Sequence, residues 1–264
     1  MSTALYKIIS YKRKEVAALY HPQMMKDLMS EARIQPPTRG FAAALSAAVE
    51  RGENALICEM KRKSPSAGEI LPGANPAQIA REYEAGGAAC LSVLTDWPSF
   101  GGSAADFAAI RETVSIPMLR KDFMIDPLQV IEARAMGADA ILVILSCTDD
   151  ALALDLVQTA AELGMDSLIE THNKSEVKRA LKLPSALIGV NNRDLKKMKT
   201  DLKTSEKLSK LIPTDRDFIS ESGISVTGDI VRLRKTGARR FLIGESLMKR
   251  EDRREHVERL RAAM

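Results

Sequence analysis

The chain has 264 residues, 45% of them hydrophobic and 28% charged, with a mean hydropathy of −0.13, which fits one globular barrel of about 250 residues better than two average domains. No apolar run reaches the roughly 18 residues of a membrane span, and the N-terminus MSTALYKIISYKRKEV lacks the apolar core and cleavage site of a signal peptide, so the expected compartment is the cytoplasm. Net charge is +4, from 39 basic against 35 acidic residues spread without a basic tract and with one tryptophan, a balance that argues against a nucleic-acid surface and for an anionic small-molecule ligand.

Residues 1–50 read as a helical extension, in three pieces (TALYKIISYKRKEVAALY, HPQMMKDLMSEARI, FAAALSAAVERG) broken at Pro36 and Pro37 and expected near the barrel mouth. Eight aliphatic segments then recur: ALICEMK from Ala55, CLSVLT from Cys90, IPMLRKDF from Ile116, AILVILS from Ala140, DSLIETH from Asp166, ALIGVNN from Ala186, DFISES from Asp217 and RFLIGES from Arg240. Their starts lie roughly 20 to 35 residues apart, room for a strand, a helix and two loops. Helical patterns fill the intervals. Pro76 opens one before Gly86 and Gly87, Asp126 and Pro127 open another, and DDALALDLVQTAAELG runs from acidic start to glycine stop. Shorter patterns follow at KSEVKRAL and VTGDIVRLRKTG, and the last is EDRREHVERLRAAM. Eight near-continuous apolar strands alternating with helices predict a (β/α)8 TIM barrel over residues 51–264, one domain with its extension. A doubly wound sheet would carry a GxGxxG turn after the first strand, where CEMKRKSPSAG stands instead. Cys58, Cys90 and Cys147 sit in apolar runs with no CxxC pair, as inert core thiols.

Active sites of such barrels lie at the C-terminal strand ends. Reading those ends in order gives Glu59 and Lys61, then Thr95 and Asp96, Lys121 and Asp122, Ser146, Glu170 and His172, Asn191 to Asp194, Glu221 to Gly223, and Gly244 to Ser246. A strand repeats its side-chain direction every second residue, so Glu59 and Lys61 face the same way. A lone Glu-x-Lys pair is ordinarily a solvated ion pair, but Glu59, Lys61, Lys121, Glu170 and Glu221 converging from several strands have no packing explanation. Glycines just after the seventh and eighth strands, in ESGI and LIGESL, fit the phosphate loops of this fold.

These motifs resemble the indole-3-glycerol-phosphate synthase family of tryptophan biosynthesis. The resemblance rests on EMKRKSPSAGEI, LSVLTDWPSFGGS, LRKDFMIDPLQV, ARAMGADAILVI, LGMDSLIETHN, IGVNNRDL, ISESGI and FLIGESLM, in family order from Glu59 to Met248. It implies a lyase that converts 1-(2-carboxyphenylamino)-1-deoxyribulose 5-phosphate to indole-3-glycerol phosphate, carbon dioxide and water, without metal or organic cofactor. His21, His172 and His256 form no ligand-spaced cluster, and His172 reads as a structural residue. The resemblance assigns Lys121 as general acid on the ketone and Lys61 as partner of the departing carboxylate. It gives Glu170 acid–base work in dehydration and Glu59 base or lysine-tuning work. Asn191 orients the lysine or substrate, and Glu221 and Ser222 line the opposite wall. A neighbouring positive charge is expected to lower the affinity of Lys121 for its proton. Arg193 holds an anionic group or braces its loop. Gly223, Gly244 and Glu245 bind phosphate by backbone amides, Ser64 and Ser66 lie in a loop that folds over the substrate, and Phe123 and Leu142 form an apolar bed for the aromatic ring. Lys63 and Ala67 depart from the family, which more often has a small residue and a lysine there. A monomer without the fused isomerase barrel is expected, with a dimer through an exposed apolar helix face as the alternative. The alternatives are a sugar-phosphate lyase with a Schiff-base lysine and a barrel that binds phosphate ligands without catalysis.

Overall fold

The computed structural model describes residues 3–194 and 199–264. Its eight barrel strands are β1 (Ala55–Met60), β2 (Cys90–Leu94), β3 (Met118–Lys121), β4 (Ala140–Ile144), β5 (Asp166–Thr171), β6 (Leu187–Asn191), β7 (Asp217–Glu221) and β8 (Arg240–Ile243). All neighbouring pairs are parallel, and β8 returns to β1 with Arg240 opposite Ala55 and Ile243 opposite Cys58, so the sheet closes into a (β/α)8 barrel. β3 starts two residues later than its apolar run, because Pro117 has no N–H to give the ladder. No helix among the described residues is long and apolar enough to cross a membrane.

The helices are α1 (Thr3–Leu19), α2 (Pro22–Ile34), α3 (Phe41–Glu50), α4 (Pro76–Ala85), α5 (Trp97–Phe100), α6 (Ala104–Arg111), α7 (Pro127–Ala135), α8 (Asp150–Glu162), α9 (Lys174–Ala180), α10 (Lys203–Leu208), α11 (Thr227–Arg234), α12 (Glu245–Met248) and α13 (Arg253–Ala262). Their starts follow the capping chemistry of the sequence. Asn75, Asp126 and Asp149 accept hydrogen bonds from Gln78, Leu128 and Leu152 N–H at the openings of α4, α7 and α8.

Side-chain alternation sorts each strand into two cores. Leu56, Cys58, Val93, Ile141, Val143, Ile169, Ile188 and Phe241 point outward and pack with the helices. Ala55, Ile57, Leu119, Leu142, Leu168, Leu187, Ile219 and Leu242 fill the barrel interior. Each fully buried aliphatic side chain contributes roughly 1.5–3 kcal/mol, and that surplus is what lets the upper end of the barrel hold charges. Cys58 and Cys90 are buried within these cores, whereas Cys147, after β4, is partly exposed.

The extension divides between the two ends of the barrel, so its expected place at the mouth holds for α1 alone. α1 lies at the C-terminal mouth, where Lys12 Nζ stands 3.0 Å from Asp96 and 2.8 Å from Asp122, the acids just beyond β2 and β3. Tyr11 Oη also donates to Asp96, at 2.8 Å. α3 closes the opposite end. Phe41 and Leu45 pack with Ala55 and Cys90 at the strand starts, and Ala42 N–H donates to Asp166 at the foot of β5. The reason is chemical: α3 is apolar but for Ser46 and the terminal Glu50 and plugs a hydrophobic floor, while the lysine of α1 needs carboxylates to enter a buried place.

The chain end is fastened to the same floor. Asn54 Nδ2 donates to Leu260 O at 3.0 Å and Ala263 O at 2.7 Å, and its Oδ1 accepts from Arg234 at 2.7 Å. Asn54→Ala is expected to lower the unfolding free energy by about 2 kcal/mol, through lost bonds and buried carbonyls left unpaired. An unchanged urea midpoint would show that the C-terminal helix is held by its apolar face alone.

Candidate active site

The strand-end charges meet in one place. Lys121 Nζ lies 3.1 Å from Glu221 Oε2, 3.6 Å from Glu170 Oε2 and 3.7 Å from Glu59 Oε2, so carboxylates from β1, β5 and β7 surround the ammonium group from β3. Lys61 Nζ donates to the other oxygen of Glu59 at 2.5 Å. Period-two alternation puts Glu59 and Lys61 on one side, as their spacing predicts. Behind Lys121 the backbone is pinned by Asp122, which bonds Lys12 at 2.8 Å, Arg120 at 3.3 Å and Thr95 at 2.6 Å.

Proton affinities follow from this crowding. Burial disfavours the charge on Lys121, but Glu221, Glu170 and Glu59 outweigh it and raise the lysine well above its ordinary value. The expected lowering by a neighbouring cation is therefore overturned: Lys61 is spent on Glu59, and the groups around Lys121 are acids. Burial opposes the charge on Glu59 too, yet Lys61 and Lys121 hold it below the usual carboxylate range. Glu170 is likewise buried but is pulled down to about 2 by His172 and Lys121. Glu221 goes the other way, up to about 7, because burial and the charges of Glu170 and Glu59 prevail over Lys121.

Two glycines make room for these acids. A Cβ on Gly189 in β6 would collide with Glu221 Oε1, and one on Gly244 would collide with Glu59 Oε1. Gly189 carries no signal in the sequence, since a strand glycine also reads as a bulge. Gly244, expected to bind phosphate by its amide, here gives room to the Glu59 carboxylate.

Two cavities adjoin the cluster and share Glu59, Lys61, Arg193, Ser222 and Leu242. The smaller, about 90 Å³, is lined by Lys121, Glu170, Asn191 and an apolar wall that includes Phe100, Phe123, Leu142 and Ile144. Phe100 and Phe123 stand with ring centroids 6.2 Å apart. The larger, about 420 Å³, is lined by Thr200, Gly223, Ser225, Gly244, Glu245, Ser246 and Lys249 besides the shared residues. Its floor is a sharp turn after β7: Ser222 has φ 66° and Gly223 φ 80°, and Ser222 is the one non-glycine with positive φ among the described residues. The short α12 begins directly after Gly244.

Glu245 is compatible with an anion here because its carboxylate is occupied, by Arg193 at 3.2 Å and Lys249 at 2.7 Å. Three cations (Lys61, Arg193, Lys249) thus face two carboxylates (Glu59, Glu245) around the larger cavity. Asn191 Oδ1 accepts from Arg193 N–H at 2.9 Å and braces that loop. The last residue of the GVNNRDL motif, Leu195, lies outside the described residues.

Ser64 and Ser66 reach neither cavity. Residues Lys63–Ser64 pair with Gly68–Glu69 in a small antiparallel ladder, and Ser64 Oγ accepts from Ala67 N–H at 3.1 Å, so the loop closes on itself. Thr200 and Lys249 line the larger cavity without a sequence signal of their own. Phe100 had one available clue, the Asp96 cap that opens WPSF, with Asp96 accepting from Ser99 N–H at 3.0 Å. Among the described residues no group of three or more His, Cys, Asp or Glu is arranged to hold a metal ion.

Solved structures with the same barrel include 3-hexulose-6-phosphate synthase from Salmonella typhimurium, TM-score 0.64 at 12% identity, covering 78% of this chain and 96% of that one. Another is thiamine phosphate pyrophosphorylase from Pyrococcus furiosus, TM-score 0.58 at 16% identity, covering 78% and 93%. At these identities the likeness speaks for the fold alone. Sequence relatives are far nearer. An indole-3-glycerol phosphate synthase of Hyphomonas neptunium is 62% identical over 264 residues, all of both chains, and one of Rhodospirillum rubrum is 49% identical over 253 residues, 96% of each. The family model described as indole-3-glycerol phosphate synthase matches residues 5–260. On that full-length match, with the strand-end charges in family order, this chain belongs to the indole-3-glycerol phosphate synthase family.

Proposed function

We propose that the chain is a carboxy-lyase of tryptophan biosynthesis that closes the indole ring of 1-(2-carboxyphenylamino)-1-deoxyribulose 5-phosphate, releasing carbon dioxide and water. The observation that carries this reading is one ammonium group, Lys121, within 3.7 Å of three carboxylates beside an apolar wall. The aromatic ring fits against Phe100, Phe123 and Leu142, and the phosphate fits the cationic cavity at Arg193 and Lys249. Backbone N–H groups around Gly223 and at the start of α12 suit the phosphate, in the loops where this fold commonly binds one. All these residues come from one chain, so the reading needs no second copy.

Ring closure begins when the ring carbon bearing the carboxylate attacks the ketone. Lys121, held protonated by its acidic neighbours, gives its proton to the developing alkoxide. The new carbon–carbon bond leaves that ring carbon tetrahedral, and loss of carbon dioxide returns its electron pair to the ring. Lys61 faces the carboxylate until it departs. Lys121, reprotonated from solvent, then gives a proton to the hydroxyl from the former ketone, which leaves as water, and a carbon-bound proton is removed to complete the indole. Glu170, ionised in the resting site, takes that proton, with Glu59 holding Lys61 in register. A Schiff-base amine must be neutral to attack a carbonyl, and three carboxylates around Lys121 disfavour that state, which weighs against Lys121, though not Lys61, as the amine of the alternative lyase.

Following indole fluorescence after adding the anilino-deoxyribulose phosphate tests the assignment. Folded protein that yields no indole product would overturn it. The glycine cradle gives a second expectation. Gly189→Ala pushes the Glu221 carboxylate aside and should lower kcat on the order of 10²-fold, the effect of a displacement of about 1 Å at a reacting group. Steady-state rates alongside a urea midpoint check it, and a near-normal kcat would mean that Glu221 has room to move.

A further inference from the structure

His172 lies directly beyond β5 and is held between two carboxylates. Its Nε2 is 3.2 Å from Glu170 Oε1, an ion-pair contact too poorly aligned for a hydrogen bond, and its Nδ1 is 3.1 Å from Glu176 Oε2. Glu176, in the first turn of α9, cannot swing away. The same oxygen accepts from His172 N–H at 2.7 Å, and the other accepts from Asn173 Nδ2 at 2.6 Å. A neutral imidazole has one N–H and one lone pair, so it would turn that lone pair toward one of the two anions. Only the imidazolium suits both.

Glu170 is consequently braced on each oxygen by a different cation: Oε2 by Lys121 at 3.6 Å and Oε1 by His172. The remaining groups around the pair are Glu221 and Glu59, which share Lys121, and the Cys147 thiol beyond β4, whose proton burial holds in place. Burial opposes the charge on His172, and the two glutamates overcome it and push the imidazole up to about 10.

We propose that His172 is a positioning residue for the reaction: a permanent imidazolium, anchored by Glu176, that keeps Glu170 ionised and directs its Oε2 toward Lys121 and the reacting ring. This rests on the ring-closure reading above. A lone histidine after a strand reads as structural in the sequence; its two partners give it a charge and a task.

The chain has three histidines, His21, His172 and His256, so nitrogen and proton NMR of the imidazoles can follow His172 by itself, assigned by loss of its signal in His172→Gln. His172 is expected to stay doubly protonated at about pH 8, where an ordinary histidine is neutral. Glu176→Gln should lower its midpoint by at least about one unit, the scale of losing one close opposite charge. In His172→Gln the acid limb of kcat should move up by about one unit or more, with KM changing less than about threefold, because the lost cation no longer holds Glu170 ionised. Glu176→Gln should move the limb in the same direction by a smaller amount, and it serves alone if His172→Gln does not fold. A His172 that titrates at the ordinary value overturns the proposal. So does an acid limb that stays in place in a chain that makes indole product, since a purely structural histidine would alter stability without moving it. A charged His172 in wild-type protein that makes no indole overturns instead the ring-closure reading, and with it the task assigned here.

Discussion

Lys121→Ala is expected to lower kcat by roughly 10³- to 10⁴-fold while the barrel remains folded. The substitution removes the proton donor of ring closure and the one ammonium group in contact with all of Glu59, Glu170 and Glu221. Lys61 cannot replace it, being 2.5 Å from Glu59 and bonded there. Glu59 would keep Lys61 and Glu170 would keep His172, but Glu221 would lose the ammonium group it contacts, a state that strongly favours its protonation. Glu221, already raised to about 7 by burial and its acidic neighbours, is the group to take the proton. The sign of the stability effect follows. A carboxyl whose folded proton affinity exceeds its unfolded one binds more protons when folded, so stability falls as pH rises from the unfolded value to the folded one. Denaturation of Lys121→Ala should therefore show a loss relative to wild type that grows as pH rises above about 7, where Glu221 ionises in wild type and stays protonated in the variant. A kcat within tenfold of wild type would remove Lys121 from the chemistry. A stability difference independent of pH would mean that the acids are not coupled through it.

The parts of this site readable in the sequence are those fixed by local geometry. Glu59 and Lys61 are two apart on a strand, so their common direction needs no three-dimensional knowledge. Asp126 and Pro127 announce α7, and the glycines of ESGI and LIGESL mark turns after the last two strands. What depends on closure of the sheet was hidden. Which charges flank Lys121 is decided by β5 and β7 meeting β3 across the barrel interior, and the sequence reading supplied a cation where the fold supplies acids. Gly189 acquires its meaning from Glu221 on the neighbouring strand, and Lys12 from Asp96 and Asp122, far along the chain. The SPS loop is read as a substrate contact from its motif alone, and without substrate Ser64 caps its own turn. The extension was legible as helices but not as two pieces on opposite ends, since amphipathicity gives a face and not the surface that face will meet.

Glu170 and Glu221 provide the second large effect, and the sharper one, because they are near neighbours of the same type pushed in opposite directions. Glu170 is held down at about 2 by His172 and Lys121 despite its burial, so it is an anion throughout the working range and suited to accept a proton. Glu221, up at about 7, is partly protonated near neutrality and suited to steady Lys121 without neutralising it. Environments that separate two like groups in this way assign them different tasks. Glu170→Gln should lower kcat by roughly 10²- to 10⁴-fold, as expected for losing an acid–base group. Glu221→Gln should lower it by about tenfold, the equivalent of about 1.4 kcal/mol of lost positioning. Because Glu170 and Lys121 act as a unit, Lys121→Ala combined with Glu170→Gln should be little slower than Lys121→Ala alone. Equal losses from the two glutamine variants would abolish the division of labour. Multiplicative losses in the double variant would mean that the lysine and Glu170 serve separate steps without depending on each other's charge.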